Sequence, residues 1–296
     1  MRSASFCSSS GGPYQAAVTL TIVLRRLASL VIAACCAAVW AGAGDGKTLT
    51  LDTKLSSVAL GGQMHALVVL PAGYATSGRR YPVVYFLHGL PGGSSTYRGN
   101  GWLTQLAAKA GSFILVEAQG ARDGDTDPEY LDWGNGRNWS TYLTKELPPY
   151  VDTHFRTIRS RDGRALVGLS AGGYGAAMLG LNHLDEFGAI ESWSGYFHAT
   201  DPTGKLAIAA PGTANVHRLI ASLAAGDKKR STFLGFYVGR SDPIFVAENE
   251  RLDRELTAAS VPHTFDLYRG GHDTKLWADH AVVWLRLALA HLSPAT

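Results

Sequence analysis

Cysteine is scarce in this sequence and is confined to its beginning. Only three cysteines occur in 296 residues, and all of them precede residue 43: Cys7, Cys35 and Cys36. If the N-terminal segment is removed, the remaining chain can form no disulfide, use no cysteine nucleophile and bind no metal through thiolates. Its stability then depends on a hydrophobic core, and the chain is long enough to bury a large one.

The first 43 residues have the pattern of a signal peptide. Two arginines precede an apolar run at 27–40, and Ala41-Gly42-Ala43 follows it. A basic region, a short apolar run and an A-x-A site are typical of secretory signals. We therefore expect residues 1–43 to be a signal peptide and the protein to be secreted or part of the cell envelope. Two alternatives stay open. The run could anchor the chain, although it is shorter than the roughly 20 residues of a membrane span, or residues 32–35 could form a lipobox that places a lipid on Cys35.

Excess charge is also absent once this segment is removed. The cut takes away three arginines and no acidic residue, which leaves 24 basic and 24 acidic side chains. A net charge of zero gives no reason to expect nucleic acid or an anionic membrane as a partner. The histidines lack a metal-ligand spacing such as H-E-x-x-H, so we expect no metal and no cofactor.

Eight apolar segments rich in β-branched and aromatic residues are spaced along the rest of the chain. They lie at 48–53, 65–71, 81–89, 112–120, 164–170, 189–195, 232–239 and 264–271. Helical patterns separate most of them, for example at 138–155, where Asn138 is the expected cap and a bend is expected near Pro148-Pro149. This alternation predicts an α/β fold with a mostly parallel sheet and helices on both faces. We expect residues 44–296 to form one domain.

The segment RALVGLSAGGYGAAMLG, residues 164–180, contains a G-x-S-x-G sequence around Ser170. An apolar strand pattern precedes the serine and a small-residue helix pattern follows it. This context favours a sharp strand-to-helix turn that exposes a nucleophilic hydroxyl, with glycines where the backbone passes closely. The alternative is a glycine-rich turn with a capping serine.

A nucleophilic serine needs a base, and the base needs an orienting acid. His272 follows a predicted strand in a glycine turn, GGHD, and is the candidate base. Asp242 follows the strand before it, in GRSDP, and is the candidate acid, although aspartate there is also an ordinary helix cap. Two glutamates are alternative acids: Glu248 and Glu250.

Two backbone N–H groups are candidates for an oxyanion hole. The Ala171 N–H begins the helix after Ser170, and the Leu90 N–H follows the H-G turn of YFLHGLPGG. His88 precedes this turn, and we interpret it as a residue that shapes the loop. The loop at 119–139 leaves a strand end and is expected to shape the site.

Four motifs taken in order, YFLHGLPGG, GLSAGGYGA, GRSDP and GGHDTKLW, resemble the putative-esterase family of α/β-hydrolases. That family includes esterase D (S-formylglutathione hydrolase), bacterial feruloyl esterases and the antigen 85 mycolyltransferases. The resemblance covers roughly residues 47–292. It implies an α/β-hydrolase fold with Ser170, Asp242 and His272 as a catalytic triad, and it implies the same two oxyanion donors.

The resemblance does not select one branch of the family. The stretches LHGLPGGSSTYRGNGW and NWSTYLTKELPPYV look closest to the mycolyltransferases. However, His88 stands where that branch has an acid, and Asp242 stands where it has a glutamate. The feruloyl esterase and esterase D branches use aspartate, as here.

Together these features predict an exported serine esterase acting on a small-molecule ester or on an ester linked to cell-wall or polysaccharide material. No protein partner can be inferred. Candidate pocket residues are Trp102, His198 and Trp277; further aromatics either line the mouth or belong to the core: Trp133, Trp139, Trp193 and Tyr196. Two other functions stay open, an acyltransferase with a sugar or lipid alcohol as acceptor, and a carbohydrate- or wall-binding module without activity.

Overall fold

The eight segments predicted as strands form eight strands of a single sheet. The computed structural model describes residues 47–125, 130–201, 207–226 and 231–296; the predicted signal peptide lies outside them. The strands are β1 (Leu49–Ser57), β2 (Gly62–Leu70), β3 (Val83–Leu87), β4 (Ile114–Ala118), β5 (Arg164–Leu169), β6 (Ala189–Trp193), β7 (Phe233–Gly239) and β8 (Thr264–Tyr268).

The order of strands across the sheet is β1-β2-β4-β3-β5-β6-β7-β8. The pairs β1–β2 and β2–β4 are antiparallel, and every pair from β4–β3 onward is parallel. Every residue of β3, β5, β6 and β7 is buried, which explains their nearly continuous apolar sequences. Because these strands are parallel, their carboxyl ends and the loops that follow them meet at one edge.

Helices occupy most of the connections between parallel strands. The described helices are α1 (Tyr74–Ser77), α2 (Gly101–Ala110), α3 (Trp139–Thr141), α4 (Leu147–His154), α5 (Ala171–Asn182), α6 (Val216–Gly226), α7 (Val246–Ala258) and α8 (Thr274–Ala290). A π-helical turn, Tyr142–Glu146, joins α3 to α4.

The predicted helix at 138–155 therefore begins after the predicted cap residue but is interrupted by the π-helical turn. Asn138 stands at the cap position, but its side chain makes no capping bond. Its Oδ1 instead accepts the Gly134 N–H at 2.8 Å, within the preceding loop. The break falls just before the prolines, because proline lacks an N–H and is tolerated in the first turn of a new helix.

Helices cover both faces of the sheet. On one face, α2 and α8 enclose a cluster of buried residues that includes Phe86, Trp193 and Trp284. On the other face lies α5, whose Gly180 is so close to Ile190 that an added Cβ would come within 2.6 Å of its side chain. Since alternate strand residues point to opposite faces, β6 contacts both layers. Near the start of α5, an added Cβ on Gly173 would likewise lie 2.8 Å from Ser192 Oγ, so this end of the helix also packs closely on β6.

Candidate active site

Ser170 is held in a strained turn between β5 and α5. It has φ 54° and ψ −121°, a conformation that a residue with a side chain rarely adopts. An added Cβ on Gly168 would lie 2.1 Å from the Gly172 carbonyl oxygen, and one on Gly172 would lie 2.0 Å from the Leu87 carbonyl oxygen. Neither contact is sterically tolerable. The G-x-S-x-G pattern is therefore required by backbone packing at this turn.

His272 lies in the loop after β8 and reaches both Ser170 and Asp242. Its Nε2 is 2.9 Å from Ser170 Oγ, and its Nδ1 is 2.7 Å from Asp242 Oδ2. With an ionised aspartate, Nδ1 must carry the proton, and the Nε2 lone pair then faces the serine hydroxyl. This arrangement is suited to removing the hydroxyl proton from Ser170.

Asp242 serves two groups of donors at once. Its side chain is fully buried, and Oδ1 accepts the N–H groups of Ile244 and Phe245 at 2.9 and 3.0 Å. Burial alone would raise the pKa of Asp242, but the bonds from His272 and from these two N–H groups outweigh it and lower the pKa. Asp242 therefore orders the turn before α7 with one carboxylate oxygen and contacts His272 with the other, and the carboxylate stays ionised.

The turn after β3 lies against Ser170. A Cβ on Gly89 would be 3.1 Å from Ser170 Cβ, so the backbone at Gly89 passes close to Ser170. The other candidate donor, the Ala171 N–H, is the first of α5 and has no acceptor within the helix. Gly89 thus packs against Ser170 and Ala171 follows it directly, so the two turns that carry the predicted oxyanion donors adjoin the serine.

His88 fixes the orientation of this turn. Its Nε2 accepts the Gly120 N–H at 3.1 Å, so the ring proton is on Nδ1 and is donated to the Gly89 carbonyl at 2.8 Å. That carbonyl belongs to the same peptide as the Leu90 N–H. The Tyr130 hydroxyl, from the loop that was expected to shape the site, donates to the His88 carbonyl. Burial lowers the pKa of His88, which keeps the ring neutral.

His198 and Glu248, two further candidates, contact each other. His198 Nδ1 is 2.5 Å from Glu248 Oε1, which also accepts the Phe197 N–H at 2.9 Å. Burial would raise the pKa of Glu248, but bonds from His198 and His217 lower it to about 2. The carboxylate beside His272 is that of Asp242, and Glu248 belongs to a separate pair.

Among the candidate aromatics, Trp277 lies beside His272. Their ring centroids are 5.2 Å apart and the rings are nearly perpendicular. Trp102 is half-buried and packs against the cluster between the sheet, α2 and α8. Three others have at most 3% of their surface exposed and belong to the core, which was one of the two alternatives for them: Trp139, Trp193 and Tyr196. Trp133 is half-exposed, in the loop before α3.

Sequence reasoning missed the partner of Trp277. Its Nε1 donates to Ser194 Oγ at 3.1 Å, across 83 positions of the chain. Ser194 follows β6 as Ser170 follows β5, and it also has a positive φ, 49°. A serine directly after a buried strand was the available signal, but nothing local distinguishes this one.

Two further properties concern the ranges that the structure describes. No helix in them is long and apolar enough to cross a membrane. Their histidine, aspartate and glutamate side chains form no group of three that could hold a metal ion.

A mostly parallel eight-stranded sheet, covered on both faces and carrying a strained serine between a central strand and its helix, defines an α/β-hydrolase fold. A solved ferulic acid esterase has this fold, with a TM-score of 0.68 at 22% identity over 84% of this chain and 99% of that one.

The profile of the family described as "Putative esterase" matches residues 57–283, and the chain belongs to this esterase family. It is 34% identical over 143 residues to Esterase Rv1288 of Mycobacterium tuberculosis, which covers 48% of this chain and 31% of that protein. The chain thus spans about a third of the length of that relative. It is also 28% identical over 218 residues to the diacylglycerol acyltransferase/mycolyltransferase Ag85B of Mycobacterium avium, covering 69% of this chain and 56% of that protein.

Proposed function

We propose that the protein is an exported serine esterase that cleaves carboxylic esters through an acyl-enzyme. The observation that carries the proposal is the pair of hydrogen bonds that runs from Asp242 through His272 to Ser170. Membership of the esterase family supports it independently. We assign Ser170 as nucleophile, His272 as general base and acid, and Asp242 as the residue that orients His272.

In the acylation step, Ser170 Oγ attacks the ester carbonyl carbon and its proton passes to His272 Nε2. The carbonyl electron pair moves onto oxygen, where the N–H groups of Leu90 and Ala171 stabilise the negative charge. The oxyanion then collapses and the C–O bond to the alcohol breaks. The leaving alkoxide takes the proton from His272, and the acyl group stays on Ser170.

Deacylation repeats the sequence with water as nucleophile. His272 takes a proton from water, and the oxygen attacks the acyl carbon within the same oxyanion site. Collapse of the second oxyanion breaks the bond to Ser170 Oγ, which recovers its proton from His272. The products are one carboxylic acid and one alcohol, with no cofactor consumed.

A fluorophosphonate probe tests the assignment without knowledge of the substrate. We expect a single adduct on Ser170, located by mass spectrometry, and its loss in His272→Ala. His263→Ala is the matched control, because His263 also pairs with an aspartate, Asp253, at 3.0 Å. The control should be labelled normally. A folded wild-type protein that takes no label would overturn the proposal and favour a binding module.

Acyl transfer to an alcohol is the second candidate function, favoured by the similarity to the mycolyltransferase relative. The chemistry differs only in the nucleophile that enters the acyl-enzyme. Partition of a preformed acyl-enzyme between water and added trehalose separates the two. Acyl-trehalose as the main product would establish a transferase, and free acid alone an esterase.

Export is proposed from residues 1–43 and requires a cleaved N-terminus. Expression of the whole sequence in a secreting host, followed by N-terminal mass determination, should find a chain that begins near Gly44 outside the cytoplasm. A full-length chain retained in the membrane would instead establish the anchor.

A further inference from the structure

The His272 ring is held by residues from other elements, not by the loop that carries it. Two glycines precede it, and the first has φ 147°, a conformation that favours glycine. The ring is held along its length by Asp242 at one nitrogen and by Ser170 at the other. In the proposed acyl-enzyme, Ser170 Oγ carries the acyl group and can no longer donate. The imidazole then keeps only its hydrogen bond to Asp242, and it can tilt about that bond away from the reacting carbon.

Two aromatic rings limit this tilt. Phe245 and Trp277 each lie with their ring centroids 5.2 Å from that of His272, at interplanar angles of 62° and 88°. Phe245 is anchored by its own N–H bond to Asp242. Its position is therefore coupled to the carboxylate that His272 already uses. Trp277, in contrast, has no bond to Asp242 among those described and is held by a different residue.

Trp277 is tied to the sheet through Ser194. The indole N–H donates to Ser194 Oγ at 3.1 Å. Ser194 is completely buried, and its own N–H donates at 2.7 Å to the carbonyl of Tyr237, within β7. Its positive φ shows that the backbone there adopts an unfavourable conformation. The hydroxyl is thus presented from a rigid strand end to a ring in the first turn of α8.

We infer that Trp277, fixed by its hydrogen bond to Ser194, is a positioning residue that holds the His272 imidazole in line with Ser170 during the acylated state. The inference rests on the proposed function. It differs from the expectation that Trp277 lines the pocket and stacks on substrate. A stacking residue affects the binding of aromatic esters, whereas a positioning residue affects every ester and acts most strongly after acylation.

The test separates acylation from deacylation in Trp277→Leu, Trp277→Phe and Ser194→Ala. Pre-steady-state bursts with 4-nitrophenyl acetate give both rate constants, and ethyl acetate serves as a substrate without an aromatic ring. We expect Trp277→Leu to slow deacylation by about 10- to 100-fold, because displacement of a catalytic group by about 1 Å can cost that much. Acylation should fall by only about 3-fold, since the bond to Ser170 still holds the ring then.

Two milder variants should have intermediate deacylation rates. Trp277→Phe keeps a ring but loses the N–H, and Ser194→Ala removes the acceptor; both should slow deacylation less than Trp277→Leu does. Leu285→Ala is the stability control, because it removes buried packing from the same helix. Its folded fraction should deacylate at the wild-type rate.

Three results are decisive. Slower deacylation of the acetyl-enzyme that both esters form, with the same small loss in acylation by 4-nitrophenyl acetate and by ethyl acetate, supports positioning. An increase in KM confined to aromatic esters, or equal losses in both steps, would overturn it. If the wild-type protein shows neither a burst nor fluorophosphonate labelling, it is the proposed function that fails.

Discussion

Two histidine–carboxylate pairs lie beyond the carboxyl ends of the strands, and they differ in what surrounds them. In the His272–Asp242 pair the carboxylate is fully buried and the imidazole reaches a strained serine hydroxyl. In the His198–Glu248 pair the carboxylate also receives His217, whose other nitrogen lies 2.6 Å from Glu255 Oε2. Both carboxylates have a lowered pKa. The lowered pKa is common to both pairs and does not separate them, whereas the neighbouring hydroxyl distinguishes the pair suited to catalysis.

The largest expected effect comes from removing each imidazole in turn. His272→Ala should reduce kcat/KM for a simple ester by about 10⁴-fold or more, because the base and acid of both steps are lost. His198→Ala should change it by less than about 10-fold, because the hydrogen bonds that join Asp242, His272 and Ser170 stay in place. Steady-state hydrolysis of 4-nitrophenyl acetate measures both. Comparable losses would mean that the two pairs are not functionally distinct.

Neutralising each carboxylate should give the next largest contrast. Asp242→Asn offers His272 an amide in place of a negative acceptor, which disfavours the required tautomer, so we expect a loss of about 10²- to 10⁴-fold in kcat. Glu248→Gln should stay within about 10-fold. Raising the pH should restore little of the Asp242→Asn activity if the tautomer is the cause. A larger loss in Glu248→Gln than in Asp242→Asn would contradict the assignment of Asp242 as the residue that orients His272.

The second pair should instead matter for stability. Folding lowers the pKa of Glu248 from its usual 4.5 to about 2. The ionised carboxylate therefore stabilises the folded protein fully above pH 4.5, and this contribution is lost as the pH falls toward 2. Glu248→Gln should lower the free energy of unfolding at pH 7 by on the order of 3 kcal/mol. Urea unfolding at several pH values measures this. The deficit should shrink steadily below about pH 5, and a deficit independent of pH would show that charge is not its cause.

Glu117 is a buried carboxyl whose hydrogen bonds come from Thr104 and Asn100, and its pKa shift has the opposite sign. Burial raises its pKa to about 7 despite bonds from Thr104 and Asn100. Between pH 4.5 and 7 the unfolded chain ionises while the folded one does not, so wild-type stability declines over this range. Glu117→Gln should lose this decline and gain about 1–2 kcal/mol relative to wild type at pH 7.5, after the cost of burying an amide. Parallel stability–pH curves for the two proteins would contradict the raised pKa.

Local sequence patterns are sufficient to predict features that lie within one strand or at its end. All eight strands were found, because buried parallel strands have apolar runs that glycine and polar residues delimit. Ser170 could be selected because a strand, a glycine turn and a helix of small residues follow each other directly. His272 and Asp242 could be selected because each follows a strand.

Properties that depend on distant parts of the chain were not predictable. Asn138 has the residue type of a cap, but a loop N–H four positions earlier competes for its oxygen. Trp193 and Trp277 are both aromatics expected near the site, and only the assembled sheet buries one and places the other beside His272. The bond between Trp277 and Ser194 joins two elements that no periodicity relates.

The strand order has a consequence for how activity is lost under mild stress. Ser170 follows β5, a fully buried inner strand, whereas His272 follows β8, the last strand of the sheet, all of whose residues are only half-buried. Edge elements with few buried contacts open at lower free energies than the centre of a sheet. Detachment of β8 would separate the two residues while Trp193 in the middle of the sheet stays packed. Ester hydrolysis should then disappear at a lower urea concentration than the tryptophan fluorescence of the folded core.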